Sequence, residues 1–358
     1  MSLSSLGWND TFAALFLPHS AAGLVPARVA RQHKHAYELL AADGDLTAAC
    51  TGRLLHESVR PAALPAVGDW VGARLRPGER QADIHVVLPR RTVFSRQAPG
   101  APAAEQVLAA NIDTAFLVTA LDQNYNLRRI ERHLTVARQS GAQPVVVLNK
   151  TDLHADPASA LAEVSAVAGG APVLAVSALA ERTLAPLAPW LAPGSTVALL
   201  GSSGVGKSTL VNALLGEALQ PTGPVSAAVG KGRHTTTRRE LILAPAGFLL
   251  MDTPGLRELQ LWGTTDEAVD ETFADVHALA ARCRFSDCSH RREPGCAVRA
   301  ALDDGTLDDA RWESFQKLQR EQAYAALKSD ARLAREHTAR WKKIALHQRA
   351  ADRFRGDD

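Results

Sequence analysis

One nine-residue segment constrains the fold more than any other part of the chain. Gly-Ser-Ser-Gly-Val-Gly-Lys-Ser-Thr, at residues 201–209, follows the apolar run Thr196–Leu200 and leads into a helical stretch, Ser208–Leu215. It matches G-x-x-x-x-G-K-[ST] in the strand–loop–helix context that this pattern requires. The glycines allow backbone N–H groups to turn inward around phosphates, and the helix N-terminus adds positive potential. A chance glycine-rich turn would not combine these features, so the sequence predicts a phosphate-binding loop.

The loop residues have distinct expected roles. Lys207 is expected to reach the β- and γ-phosphates of a nucleotide, which makes it a candidate catalytic residue, and Ser208 is expected to ligate Mg²⁺. All nine residues are candidate nucleotide contacts: Gly201, Ser202, Ser203, Gly204, Val205, Gly206, Lys207, Ser208 and Thr209.

An upstream motif predicts which base is bound. Asn149-Lys150-Thr151-Asp152 follows the apolar run Pro144–Leu148 and has the N-K-x-D pattern of guanine-reading loops. The Asp152 carboxylate can accept hydrogen bonds from N1–H and the exocyclic amine of guanine. Adenine offers no such pair of donors, so an unpaired buried carboxylate would penalise ATP. Lys150 is expected to lie over the base, and Asn149 to tie its loop to the phosphate loop.

Ser177-Ala178 supports the same interpretation. The pair ends the apolar run Pro172–Val176 and resembles the S-A motif, whose backbone N–H contacts guanine O6. The motif is weak in isolation. At the end of the strand after N-K-x-D it favours a guanine site.

Two further segments are candidates for sensing the γ-phosphate. Asp252-Thr253-Pro254-Gly255 fits D-x-x-G, with Asp252 holding Mg²⁺ through water and the Gly255 amide contacting the γ-phosphate. Upstream, residues 232–237 read Gly-Arg-His-Thr-Thr-Thr after a Gly/Pro/Ser/Ala-rich stretch. Either Thr236 or Thr237 would complete the Mg²⁺ shell. Spacing does not choose between them, and Thr237 is the working candidate for both magnesium binding and catalysis.

The sequence lacks one catalytic residue that many GTPases have. Leu256 stands where many GTPases carry a water-orienting glutamine. An apolar side chain cannot orient water, so we expect unassisted turnover on the order of 10⁻⁴ per second. His234 is the candidate substitute, either positioning water or contacting a partner. The alternative is that His234 is a solvent-facing loop residue.

The order of these motifs is reversed from that of ordinary small GTPases, in which N-K-x-D and S-A come last. All the motifs can still meet at the carboxyl edge of one parallel sheet, because such sites are assembled in space. The sequence therefore predicts a circularly permuted α/β P-loop domain. Its strand candidates are Ile112–Leu121, Pro144–Leu148, Pro172–Val176, Thr196–Leu200, Glu240–Leu243 and Phe248–Met251, and its helix candidates include Leu127–Gln139 and Ser159–Val167.

Three of the four cysteines form a metal-binding pattern. Cys283, Cys288, His290 and Cys296 give C-x₄-C-x-H-x₅-C, whereas Cys50 stands alone. Three thiolates and one imidazole complete a closed tetrahedron, the donor set of structural zinc, which leaves no open position for catalysis. Arginines around the cluster are expected to face outward as a phosphate-contacting surface: Arg282, Arg284, Arg291 and Arg292. His277 is expected to be an ordinary helix residue.

Composition and charge indicate a soluble cytoplasmic protein with polyanion-binding ends. Of 358 residues, 46% are hydrophobic and 22% charged, no apolar run reaches the ~18 residues that span a bilayer, and the first residues lack a signal-peptide pattern. The net charge of +2 divides into +7 over 311–355, +4 over 22–100 and −9 elsewhere. Solvated helix faces are the alternative explanation. Residues 22–100 also carry short β-prone runs that predict a small barrel or sandwich.

The combination resembles the ribosome small-subunit-dependent GTPase A family (RsgA) over roughly residues 22–350, and even Leu256 agrees. The resemblance implies an amino-terminal OB-fold β-barrel, a circularly permuted GTPase domain and a zinc-binding helical domain. We expect an extension at 1–21, in which no motif can be interpreted, and domains at 22–100, 101–262 and 263–358. The resemblance also implies late assembly of the small ribosomal subunit, binding to its rRNA, and GTP hydrolysis stimulated by the subunit. A monomer is expected.

Two other functions fit parts of the pattern. One is a GTP-gated regulator of a protein target, with zinc as scaffold and the basic ends incidental. The other is a nucleotide-loaded metal carrier, although a closed Cys₃His site argues against delivery. The permuted order also places the second switch directly before the carboxyl-terminal domain, so switch ordering is expected to act on residues 263–358.

Overall fold

The computed structural model describes residues 1–34, 36–58, 60–98, 105–123, 125–180, 183–216, 239–252 and 266–329. Its amino-terminal part is a five-stranded barrel that closes because the first strand pairs with both the second and the fourth. Leu39, Val71 and Ile84 are fully buried in its interior. The strands are β1 (Val25–Gln32), β2 (Tyr37–Ala41), β3 (Gly44–Cys50), β4 (Trp70–Leu75) and β5 (Gln81–Val87), with helix α2 (Gly52–Glu57) between β3 and β4. The predicted barrel is confirmed.

The first residues, which carry no recognisable motif, form a helix that packs on this barrel. Helix α1 (Asp10–Ser20) begins after Asn9, whose side chain accepts a hydrogen bond from the Phe12 N–H at 3.1 Å. Trp8 meets Trp70 edge to face, with ring centroids 4.7 Å apart. Trp70 is the largest fully buried side chain of the described residues. Large aromatic contacts of this kind stabilise a packing interface beyond their buried area. Phe12, Phe16 and Trp70 share one hydrophobic cluster with Leu108 and Ile112, so this segment packs on the side of the barrel that meets the central part.

The central part is a sheet in the predicted arrangement. Strand order is β10-β9-β8-β11-β13-β12, and every pair is parallel except β12–β13. Helices follow β8, β9 and β11. The elements are β8 (Thr114–Ala120), α3 (Leu127–Ser140), β9 (Gln143–Asn149), α4 (Pro157–Val167), β10 (Val173–Ala175), β11 (Thr196–Leu200), α5 (Lys207–Leu215), β12 (Glu240–Leu243) and β13 (Leu249–Asp252). Buried parallel strands read as continuous apolar runs, which is why the sequence located them to within two residues.

The barrel and the central sheet are joined by two features that the sequence does not predict. Strands β6 (Val93–Gln97) and β7 (Glu105–Ala110), which follow the barrel in the chain, form a separate two-stranded antiparallel sheet. In addition, Arg31 at the end of β1 pairs with Glu240 at the start of β12, so barrel and central sheet share one hydrogen-bonded ladder. The Arg31 guanidinium reinforces this junction with ion pairs to Glu38 and Glu240.

Beyond residue 265, the described chain is mainly helical, as predicted, apart from the loop 281–296 that carries the cysteine cluster. Phe273, Val298 and Phe315 are buried at the centre of this helical part. None of the helices in the described ranges is long and apolar enough to cross a membrane. The helices are α6 (Asp266–Thr272), α7 (Ala274–Ala280), α8 (Ala297–Asp303) and α9 (Asp309–Ser329). Of the positively charged stretch 311–355, residues 330–355, which include Arg340-Trp341-Lys342-Lys343, lie outside the described residues.

Candidate nucleotide and metal sites

Asn149 connects three of the predicted guanine-site segments. The residue is 1% exposed at the end of β9. Its side-chain amide donates to the Val205 carbonyl of the phosphate loop at 2.9 Å, and its Oδ1 accepts from the Ala178 N–H at 3.0 Å. N-K-x-D, S-A and phosphate loop therefore meet around one buried side chain. A guanine O6 would have to share or take over the Ala178 N–H that Asn149 now holds.

Lys150 lies across the gap between the two loops. Its backbone has φ 61°, an uncommon left-handed conformation for a side-chain-bearing residue. The ammonium donates to the Gly204 carbonyl at 2.8 Å and to the Asp122 carboxylate at 2.8 Å. Thr151 and Asp152 follow in a short 3₁₀ turn, and Asp152 is exposed.

The phosphate loop has the backbone conformation that its glycines permit. Gly206 has φ 92°, and a Cβ there would lie 2.3 Å from Nδ2 of Asn149, so no larger residue fits. Lys207 is 8% exposed, and its ammonium donates to the loop carbonyls of Gly201, at 2.8 Å, and Ser202. Ser208 and Thr209 lie in the first turn of α5. The loop therefore holds the Lys207 ammonium inside its own curve, against its backbone carbonyls.

The S-A loop has a support that the sequence did not indicate. The Thr183 hydroxyl donates a hydrogen bond to the Ser177 carbonyl at 2.8 Å. The same hydroxyl oxygen accepts a hydrogen bond from the Ser177 N–H at 2.9 Å. This hydroxyl holds the turn after β10 closed. No motif marks Thr183, because a single threonine six residues beyond a weak motif carries no pattern.

Helix α3 adds positive charge beside the phosphate loop, again without a sequence signal. Nη1 of Arg129 lies 3.2 Å from the Ser202 hydroxyl. One turn further along, burial and the neighbouring Arg129, Lys207 and Arg132 charges lower the pKa of His133 to about 4. His133 is therefore neutral at pH 7, and the local field favours an anion.

The structure does not reach all of the predicted magnesium and switch residues. Asp252 is the last residue of β13, next to β11, whose carboxyl end opens the phosphate loop. Five predicted residues lie outside the described ranges: His234, Thr236, Thr237, Gly255 and Leu256.

The four predicted metal ligands form one cluster. Their ligand atoms all lie within 4.8 Å of one another. Sγ of Cys283 is 3.9 Å from Sγ of Cys296, and Nδ1 of His290 is 3.5 Å from each of these sulfurs. A tetrahedron with Zn–S of about 2.3 Å and Zn–N of about 2.0 Å has edges of about 3.5–3.8 Å. Cys283, Cys288, His290 and Cys296 therefore suit a structural Zn²⁺ ion.

Aromatic side chains connect this cluster to the helical core. The His290 ring meets Trp312 edge to face, with centroids 5.7 Å apart, and Trp312 packs against Phe315 at 5.5 Å. Nε2 of His277 lies 2.9 Å from the Asp270 carboxylate, and its ring contacts Phe315, so His277 is not one of the clustered residues, as predicted. A metal bound to His290 would thus stabilise the packing of α9.

Parallel sheet, phosphate loop and reversed motif order together define a circularly permuted P-loop GTPase. The sequence profile of the RsgA GTPase family matches residues 87–262. A protein of Opitutus terrae called small ribosomal subunit biogenesis GTPase RsgA is 63% identical over 99% of both chains. The chain therefore belongs to the RsgA GTPase family.

Solved structures agree on the fold. The crystal structure of YjeQ from Thermotoga maritima aligns with a TM-score of 0.61 at 25% identity, covering 84% of this chain and 98% of the other. YloQ, described as a circularly permuted GTPase, aligns with a TM-score of 0.59 at 24% identity, covering 84% and 95%. The predicted fold class is confirmed.

Proposed function

We propose that this protein hydrolyses GTP to GDP and phosphate during late assembly of the small ribosomal subunit, and that binding to the subunit stimulates hydrolysis. The observation that carries the proposal is the similarity, over 99% of both chains, to a relative named small ribosomal subunit biogenesis GTPase RsgA. The site geometry supports the nucleotide part, because Asn149 connects the base-reading segments to the phosphate loop.

The proposed roles of the site residues follow the motif positions. Asp152 reads the guanine N1–H and amine, Lys150 covers the base, and Lys207 neutralises the β- and γ-phosphates. Magnesium is held by Ser208 and Thr237, with Asp252 acting through water. His234 positions the attacking water. The remaining contacts to GTP come from Thr151, Ser177, Ala178, Thr209, Gly255 and the loop 201–206.

The rRNA-binding surface that we propose surrounds the zinc cluster. All four arginines predicted to face outward are exposed: Arg282, Arg284, Arg291 and Arg292. The Arg284 guanidinium lies 5.4 Å from the ring centroid of Phe285, which is itself exposed. Exposed guanidinium groups contact phosphates, and an exposed aromatic ring provides a stacking surface for an unpaired base. We further propose a cytoplasmic monomer.

The proposed domain division keeps the predicted boundaries of 22–100, 101–262 and 263–358, with residues 1–21 joined to the barrel. In this arrangement the D-x-x-G motif, at 252–255, precedes α6 in the chain by about ten residues. GTP would order the switch and favour the subunit-bound state, and hydrolysis would lower affinity and promote release. Hydrogen exchange over residues 263–358 with GDP and with a GTP analogue tests this coupling. Equal protection in both states would exclude it.

A GTPase assay with purified ribosomal subunits tests the function as a whole. We expect small subunits to raise turnover far above the slow basal rate, and large subunits to leave it unchanged. The stimulation should fall steeply with salt, because phosphate contacts release counterions. Equal rates with small subunits, large subunits and no addition would contradict the proposal. The turnover of His234→Ala would then be measured with and without small subunits. If the stimulated rate of this variant equals that of wild type, a catalytic role for His234 is excluded.

A further inference from the structure

Asp122 lies at a central position of the nucleotide site without belonging to any of its motifs. It comes two residues after the end of β8. In the sheet, β8 lies between β9, which leads into Lys150, and β11, which leads into the phosphate loop. Asp122 is therefore located where base-reading loop and phosphate loop approach each other.

The Asp122 carboxylate is paired with the lysine of N-K-x-D. Oδ2 of Asp122 is 2.8 Å from Nζ of Lys150, and the same ammonium donates to the Gly204 carbonyl at 2.8 Å. The two side chains of the pair are only 22% and 25% exposed. One ammonium thus joins three segments, which are the end of β8, the N-K-x-D loop and the phosphate loop.

We propose that Asp122 is a positioning residue for guanine recognition, which holds the Lys150 side chain extended across the pocket before the nucleotide binds. The inference rests on the proposed function, in which this pocket binds GTP and GDP. The left-handed backbone of Lys150 sets where the side chain starts, and the two acceptors fix where it ends. Between these ends, the four-carbon stem has few conformations left.

Preorganisation gives this arrangement its effect on affinity. A lysine free to rotate must lose its rotamer freedom when a base binds under it, and that cost weakens binding. With the stem already ordered, the cost is met on folding. The ion pair itself contributes little, because it is partly open to solvent. The ordered stem faces the base, so it acts on GDP and GTP equally.

Calorimetric titration of GDP and of a non-hydrolysable GTP analogue tests the proposal. We expect Asp122→Ala to raise the Kd of both nucleotides about 3- to 10-fold and by the same factor, as expected for releasing one long side chain. Asp122→Asn should lie in between, since its carboxamide oxygen still accepts from the ammonium. The kcat at saturating GTP should not change, so that only KM rises. Glu163→Ala is the matched control, because its exposed carboxylate on α4 pairs with the Tyr125 hydroxyl, and it should bind as wild type does.

A double-mutant cycle separates positioning from a direct effect of the carboxylate. In a Lys150→Met background, Asp122→Ala should have no further effect on Kd. An unchanged Kd in Asp122→Ala, or an undiminished effect in the Lys150→Met background, would overturn the proposal. Thermal unfolding of each variant shows that it is folded. Either of these contradicting Kd results would leave the proposed function standing, provided that the wild-type protein still prefers guanine nucleotides and is still stimulated by small subunits.

Discussion

Nη1 of Arg311 lies 2.8 Å from Oε1 of Glu131, and this buried ion pair joins helix α3 beside the phosphate loop to helix α9 beside the metal cluster. Glu131 is fully buried and also accepts from the Ser314 hydroxyl at 2.6 Å. Arg311 extends the network to Asp275 of α7. The nucleotide-binding and metal-binding parts thus share one charged network.

Removing the carboxylate should strongly destabilise the protein. Glu131→Ala leaves the Arg311 charge buried with one partner fewer, and losing one partner of a buried pair costs about 3–5 kcal/mol. Urea unfolding measures this change in the free energy of unfolding. Glu321→Ala is the control, since it breaks a partly exposed pair with Arg132 and should cost less than about 1 kcal/mol. Similar costs for both variants would contradict a special role for Glu131.

Metal binding should depend on the cluster and not on the remaining cysteine. We expect the purified protein to contain one zinc per chain, and Cys288→Ser to lose most of it, because three ligands hold zinc far less tightly than four. The Cys50→Ser variant should keep its zinc, because Cys50 lies in strand β3 of the barrel and not in the cluster. Elemental analysis measures the metal, and limited proteolysis measures the expected loosening of residues 266–329. Full zinc occupancy in Cys288→Ser would contradict the assignment of this ligand.

The sequence predicted what short motifs and apolar runs encode. The strand Thr196–Leu200 and the clustering of the four predicted metal ligands were located correctly, because their signals are local in the chain. The packing of Trp8 on Trp70 and the pairing of Arg31 with Glu240 could not be predicted, since such partners are distant in sequence and have no fixed spacing. Asp122 and Thr183 escaped for the same reason, although both support the predicted loops.

A buried arginine in the barrel should be essential for stability. The Arg28 guanidinium is fully buried and donates to the carbonyls of Leu6, Gly68 and Asn111. Burial lowers its pKa to about 10, so Arg28 remains charged at pH 7. Arg28→Met leaves three carbonyl oxygens with one donor fewer, and we expect a loss of about 3–5 kcal/mol in urea unfolding. The exposed Arg53→Met should change stability by less than about 0.5 kcal/mol, and an equally small effect of Arg28→Met would contradict this role.

His133 should make the protein less stable in mild acid. Its pKa of about 4 in the folded protein lies below the ordinary value of about 6.5, so the unfolded chain binds the proton first. Its contribution is therefore complete above about pH 6.5 and is lost as the pH falls toward 4, by up to about 3 kcal/mol. The free energy of unfolding of wild type and of His133→Gln is measured at pH 7.5 and at pH 5. All other groups titrate in both proteins, so the difference between their two losses reports the contribution of His133. Equal losses in the two proteins would contradict the low pKa.

The central claim is that the loops around Lys150 and Lys207, reversed in chain order, bind one guanine nucleotide. Calorimetric titration of wild type and Asp152→Asn with GTP, ATP and xanthosine triphosphate tests it most directly. Wild type should prefer GTP over ATP by a factor of at least about 100, because a polar site rejects a ligand that leaves its groups unpaired. Asp152→Asn should lose affinity for GTP and gain it for xanthosine triphosphate, whose C2 oxygen can accept from the new amide. Equal binding of GTP and ATP by wild type, or unchanged selectivity in Asp152→Asn, would contradict the account.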